Sequence, residues 1–103
     1  MGVFLFLHMT IQEIHHLFLE SDGISTDTRA IRKNTLFFAL KGANFNGNTF
    51  ADQALASGAS YAIVDEEAFD TVDKTILVTD VLKTLQELAY THRKYLDIPI
   101  LAL

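Results

Sequence analysis

Apolar residues along this chain alternate between helical spacing and short continuous runs, and the alternation predicts helices and strands in turn. Ile11, Ile14, Leu17 and Phe18 fall on one helical face. Ahead of them, Thr10-Ile11-Gln12-Glu13 is a capping box, in which the Thr hydroxyl and the Glu carboxylate each satisfy an otherwise unpaired backbone N–H. Ser21-Asp22-Gly23 stops that helix. Ile24 to Thr26 then reads as a short strand, Asp27 to Asn34 as a polar loop, and Thr35 to Leu40 as a buried strand rich in aromatic and aliphatic side chains. After a glycine-bounded loop a second helix starts at Asn48 or Thr49, buries Phe50, Ala54 and Leu55, and ends at Gly58, which suits the left-handed C-terminal position.

Tyr61 to Val64 and Thr75 to Thr79 read as two more strands, separated by the acidic stretch Asp65 to Asp73, a loop or short helix. Asp80 caps the longest helix, where Val81, Leu82, Leu85, Leu88, Ala89 and His92 share a face and Arg93 and Lys94 complement the dipole in the last turns. Ile98-Pro99 breaks it, and Ile100-Leu101-Ala102-Leu103 begins a further apolar strand with no turn or cap after it, so the chain reads as stopping partway through an architecture. Strands alternating with helices predict an α/β fold, a small mixed sheet flanked by helices; the strand order does not follow from the pattern.

Composition narrows the picture. With 103 residues, half of them hydrophobic, the chain supports one core and not two. A net charge of -5, with only eight Lys and Arg, argues against a nucleic-acid partner, since phosphate backbones are met by basic faces. The absence of cysteine excludes disulfides, thiolate zinc sites and cysteine nucleophiles, and fits a cytoplasmic chain. Val3 to Leu7 is apolar but too short to span a bilayer and has no basic residues ahead of it, so no membrane partner is expected. Residues 1–8 read as an N-terminal extension in front of Met9. Adjacent helical residues His15 and His16 point about 100° apart and His92 belongs to a core-facing stripe, so no metal site is expected. Asp65, Glu66, Glu67, Asp70 and Asp73 read as a solvated acidic surface without a catalytic role.

Two segments carry candidate chemistry. Gly42-Ala43-Asn44-Phe45-Asn46-Gly47-Asn48-Thr49 has the glycine spacing and following hydroxyl of a P-loop and lies between a strand and a helix. Asn48 stands where the lysine would be, which removes the charge that reaches terminal phosphates and speaks against ATP hydrolysis there. Backbone N–H groups aimed at a diphosphate, or a plain turn, are both compatible with the spacing. Ser25-Thr26-Asp27-Thr28-Arg29 offers hydroxyls, a carboxylate and a guanidinium; Arg29 is either a phosphate partner or a tether to Asp27, and the segment either lines a polar ligand or is a solvated turn.

These two segments, with Leu36 to Gly42, Asn46-Gly47, Ala54 to Ala59 and Ile98 to Leu103, resemble the N-terminal domain of the Mur ligases from about Met9 to the end of the chain. The resemblance implies a domain, residues 9–98, that holds the UDP end of a nucleotide-linked substrate, followed at 99–103 by the first strand of an ATP-binding central domain. It implies substrate contacts at Thr26, Asp27, Thr28 and Arg29, where Thr28 replaces the usual serine. It also implies them at Lys41, Gly42, Ala43, Asn44, Phe45, Asn46 and Gly47, where many relatives carry Asp-Gly in place of Asn46-Gly47. Within the family the wording is nearest the member that joins D-alanyl-D-alanine to UDP-N-acetylmuramoyl-tripeptide in bacterial peptidoglycan synthesis, ahead of the sibling that adds the third peptide residue. The resemblance further implies a cytoplasmic parent enzyme that uses ATP and Mg2+, a monomer, and no catalytic residue or cofactor within these residues. A non-catalytic interaction module, docking through Val3 to Leu7 and the final strand, is the alternative of a different class.

Overall fold

The computed structural model describes residues 9–70 and 73–97; the expected extension at 1–8 and the expected strand at Ile100 to Leu103 lie outside the described residues. Helix α1 spans Ile11–Leu19 and starts on the expected capping box, with the Glu13 N–H donating to Thr10 Oγ1 at 3.1 Å and the Thr10 N–H to Glu13 Oε1 at 2.8 Å. Strand β1 (Ile24–Ser25) leads through a 3-10 turn at Thr28–Ala30 to β2 (Leu36–Phe38). A hairpin of β3 (Lys41–Gly42) and β4 (Phe45–Asn46) follows, then a 3-10 turn at Gly47–Phe50 and helix α2 (Ala51–Ala56). Strand β5 (Tyr61–Val64), a 3-10 turn at Glu67–Phe69, β6 (Thr75–Leu77) and helix α3 (Val81–Asp97) complete the described residues.

The α/β class holds, with the parallel and antiparallel pairings in separate sheets. β1, β2, β5 and β6 form a parallel sheet in that spatial order, with Ser25 opposite Phe37, Phe37 opposite Ala62 and Ala62 opposite Thr75, while β3 and β4 pair antiparallel apart from it. Because side chains alternate along a strand, the short apolar runs supply both faces at once. Leu36, Phe38, Ile63 and Ile76 join Ile14 of α1 and Val81 and Leu88 of α3 in one core layer. Phe37, Ala62 and Val64 pack with Ala51 and Ala54 of α2 in the other. Alanines on both sides of that second layer let α2 approach the sheet closely. Phe37 and Phe38 are both fully buried, each worth roughly 1.5–3 kcal/mol of transfer free energy.

Three expectations change in detail. The second helix begins at Ala51 and not at Asn48 or Thr49, and Phe50, expected in the core, is 40% exposed. The cause is that Asn48 turns inward and is wholly buried, and the tighter 3-10 turn it shapes swings Phe50 outward. In α3 the buried stripe is Val81, Thr84 and Leu88; Leu82 at 53% exposure and Ala89 lie outside it, Leu82 being one residue and so about 100° round from Val81. Thr84 tolerates burial because its hydroxyl donates to the Asp80 carbonyl at 2.8 Å. Three strands are shorter than expected: Ile24–Ser25 within Ile24 to Thr26, Leu36–Phe38 within Thr35 to Leu40, and Thr75–Leu77 within Thr75 to Thr79. Gly58 ends α2 as expected with φ +116°, and Asp80 caps α3 through Oδ1, which accepts from the Lys83 N–H at 2.9 Å.

Candidate functional site

Because the four strands are parallel, their C-terminal ends share one edge of the sheet, the edge at which open α/β sheets collect ligands. The loop after β1 carries Thr26 to Arg29, and the chain after its neighbour β2 runs into the Lys41 to Gly47 hairpin. Sheet topology therefore places both sequence-predicted segments at the same edge, on adjacent strands.

The first segment is ordered by its own side chains. Ser25 Oγ accepts from the Asp27 N–H at 3.3 Å and donates to the Asp27 carbonyl at 3.1 Å. Asp27 caps the Thr28–Ala30 turn by accepting from the Arg29 N–H at 2.8 Å, and its two carboxylate oxygens receive the Arg29 guanidinium through Nε at 3.0 and 3.1 Å and Nη2 at 2.8 Å. The two readings of Arg29 thus resolve in favour of the tether in the free domain. Those hydrogen bonds hold the Asp27 carboxyl down at about 2 and raise the Arg29 guanidinium. Thr26 is exposed and Thr28 half-buried.

The second segment departs from the P-loop-like expectation. Its glycines bound a β-hairpin turned at Ala43–Asn44, and the amides at its far end are spent internally: Gly47 N–H donates to the Leu40 carbonyl at 2.7 Å and Asn48 N–H to Asn46 Oδ1 at 3.0 Å. With α2 only six residues long and starting four residues past Gly47, the geometry of a phosphate cradle at a helix N-terminus is not built. Gly47 has a different reason to be glycine: a Cβ there would press on the backbone of Ala39 and Leu40, including the Leu40 carbonyl oxygen. The hairpin instead offers its exposed tip, Ala43, Asn44 and Phe45, the last 57% exposed with its ring lying across Gly42.

Asp65 and Glu66 are the residues sequence reasoning missed. Taken for part of a solvated acidic surface, they follow β5 at the same sheet edge and are half-buried. Buried Asn48 ties Asp65 to the hairpin: its Nδ2 donates to Asp65 Oδ1 at 3.0 Å and to Asn46 Oδ1 at 2.8 Å, and its Oδ1 accepts from the Asp65 N–H at 2.9 Å. Asp65 Oδ2 in turn accepts the first N–H of α3, from Val81, at 3.0 Å. Lys41 bridges to Glu66 Oε2 at 2.9 Å and Asp65 Oδ1 at 3.4 Å, and Asn46 Nδ2 donates to Glu66 Oε2 at 2.7 Å. Burial alone would push the Asp65 carboxyl up, but its bonds to Val81, Asn48 and Lys41 together bring it below its ordinary value. Lys41 and Asn46 hold Glu66 down in the same way, and Glu66 raises the Lys41 ammonium. The sequence carried no signal for this hub, because Asn48 stands where an asparagine would ordinarily cap a helix.

The histidines divide as their 100° offset requires. His15 is buried, with Nε2 3.1 Å from His92 Nδ1, while His16 is exposed. Among the described residues no cluster of three or more His, Cys, Asp or Glu is arranged to hold a metal ion, and no helix is long and apolar enough to cross a membrane.

The sequence matches the family described as Mur ligase family, catalytic domain, over residues 20–101. It is similar to a UDP-N-acetylmuramoyl-L-alanyl-D-glutamate--2,6-diaminopimelate ligase of Rickettsia typhi, 41% identical over 66 residues, 64% of this chain and 13% of that protein. It is also similar to a UDP-N-acetylmuramoyl-tripeptide--D-alanyl-D-alanine ligase of Synechocystis, 37% identical over 83 residues, 78% of this chain and 18% of the relative. Among solved structures, the MurF ligase of Thermotoga maritima in complex with ADP matches with a TM-score of 0.62 at 32% identity, over 71% of this chain and 17% of that one. MurF of Acinetobacter baumannii matches with a TM-score of 0.64 at 25% identity, over 84% and 21%. The chain spans 13% to 18% of the length of these two curated relatives.

Proposed function

The chain belongs to the Mur ligase family, and from that premise we propose that it binds the UDP moiety of UDP-N-acetylmuramoyl-tripeptide for a cytoplasmic ligase that adds D-alanyl-D-alanine in peptidoglycan precursor synthesis. The observation that carries the reading is the common edge: Thr26 to Arg29 and Lys41 to Gly47 leave the C-terminal ends of adjacent parallel strands. In this reading the domain comprises residues 9–98, with 1–8 an extension and 99–103 the first strand of the central domain of a monomeric parent. The Thr26 and Thr28 hydroxyls and the Ala43 to Phe45 tip meet the nucleotide, the tip supplying backbone donors and the Asn44 amide to the diphosphate. Asp27 and Arg29 shape the first loop for this purpose, and Lys41 and Asn46 contribute donors at the base of the hairpin.

ATP and Mg2+ belong to the parent and not to these residues. Asn48, at the position a P-loop lysine would take, is buried and bonded on both polar atoms, and the acids at the sheet edge are spent on Lys41, Asn46, Asn48 and Val81. The described residues therefore do not fit a nucleoside triphosphate with its metal, and this chain's own contribution is binding and orientation.

A second reading keeps the same domain but assigns it to the sibling that adds 2,6-diaminopimelate, favoured by the 41% identity to the Rickettsia ligase. The longer match to the D-alanyl-D-alanine ligase, 78% of this chain, supports the first. Activity of the full-length protein with each amine acceptor separates the two. For the site, the chain is titrated with UDP and followed by amide chemical shifts. Shifts confined to Thr26 to Arg29 and Gly42 to Gly47 are expected; unmoved amides there at millimolar UDP would refute the assignment.

A further inference from the structure

The hairpin already holds an anion of its own. Lys41 and Asn46 are cross-strand partners, and both donate to one atom, Glu66 Oε2, at 2.9 and 2.7 Å. Two donors from facing strands converging on one carboxylate oxygen is equally an arrangement for a phosphate oxygen. Each donor has a second hold besides Glu66. Asn46 cannot reverse its amide, because its Oδ1 accepts from both the backbone N–H and Nδ2 of Asn48, which leaves Nδ2 outward. Lys41 is also held by Asp65, whose other bonds to Asn48 and Val81 fix it in the fold. Glu66, by contrast, does not use its side chain to cap the turn it precedes, and among the described residues its side chain bonds to the two hairpin donors alone. Its side chain is 35% exposed against 12% for Asp65.

We propose that Glu66 is an internal competitor for the anion site of this hairpin: its carboxylate occupies Lys41 Nζ and Asn46 Nδ2 in the free domain, and a phosphate oxygen of the ligand takes both donors by displacing it into solvent. The inference rests on the UDP reading above and adds its regulation. The exchange sets affinity for a phosphate-bearing ligand below what the two donors alone would give, and leaves a ligand without phosphate untouched. Since Lys41 and Asn46 hold the Glu66 carboxyl below the usual range, it stays ionised at neutral pH, and competition by a second anion is what releases it.

The test compares wild type with Glu66→Gln, a change that keeps size and an acceptor oxygen but removes the charge. UDP and uridine are titrated by NMR, and the Glu66 side-chain carboxyl carbon is followed in the wild type. Glu66→Gln is expected to bind UDP about fivefold more tightly, the factor that an exposed ion pair at the upper end of its range is worth, with uridine affinity unchanged. The wild-type carboxyl resonance is expected to move towards that of a free carboxylate as UDP saturates. Unchanged or weaker UDP binding in Glu66→Gln, or a stationary wild-type carboxyl resonance with UDP bound, overturns the competitor role and leaves the UDP reading standing. No UDP binding to either protein overturns both.

Discussion

Replacing Asn48 with Ala tests whether the polar hub, and not only the apolar core, holds the hairpin on the domain. Asn48 is fully buried, and its side chain makes one bond to Asn46 and two to Asp65, all between 2.8 and 3.0 Å. Truncation removes a neutral bond worth about 1 kcal/mol, takes a donor from a carboxylate, and strands the Asp65 N–H, each of the last two costing about 1–3 kcal/mol. Water can reach half-buried Asp65 and recover part of this, so the expected loss is about 3–4 kcal/mol. For a domain of this size that lowers the Tm by at least about 12 °C. Urea unfolding followed by circular dichroism measures the free-energy loss, and a thermal scan the Tm. Thr49→Ala is the control: its exposed hydroxyl donates only to the Asn46 carbonyl, and its loss is expected to cost under about 1 kcal/mol. An Asn48→Ala variant within about 1 kcal/mol of wild type would refute the reasoning, because it would mean that none of these bonds contributes more than the water that replaces it.

Other perturbations have equally definite outcomes. Gly47→Ala is expected to cost at least about 2 kcal/mol in the same unfolding assay, since the new methyl meets backbone atoms of Ala39 and Leu40 that cannot move aside as a side chain would. Asp27 has a folded pKa of about 2 against an ordinary 3.8, so its contribution to stability is present above the ordinary value and is lost as pH falls through about 2. An NMR titration of the Asp27 carboxyl should return its midpoint towards 3.8 in Arg29→Gln. His15 is depressed below 6.5 by burial and by the neighbouring His92 and His16, so its contribution is complete above that value and declines as pH falls below it. The urea midpoint should therefore drop between about pH 7.5 and pH 5, and drop less in His15→Phe.

Much of the fold was legible because it depends on local chemistry. The Thr10 to Glu13 capping box, the Gly58 helix end and the Asp80 cap are each satisfied within a few residues of chain, so the pattern that announces them is also the pattern that forms them. The runs at Leu36 and Tyr61 read as buried strands because both their faces are apolar. The candidate segments were legible as polar stretches at strand ends, and Thr26 to Arg29 forms its loop from its own side chains.

Around the hairpin, local pattern misjudged the places where a partner far along the chain takes part. The glycine spacing of residues 42–47 resembles a phosphate loop, but the backbone folds as a hairpin because Asn46 and Asn48 bond to residues after β5. The same contacts delay α2 to Ala51 and expose Phe50. Asp65 and Glu66 look like two more charges in an acidic run, and only their nearness to Lys41, Asn46 and Asn48 gives them roles. By itself, then, the sequence determined the three helices, the strands of the parallel sheet, the caps of α1 and α3, the α/β class and the two polar segments, all of which follow from hydrophobic period and short-range hydrogen bonding. Tertiary structure alone decided the strand order, the shared sheet edge and the pairing of the cations with carboxylates. Those depend on pairings between residues 12 to 25 positions apart, whose formation is governed by how the sheet assembles and not by neighbours in the chain.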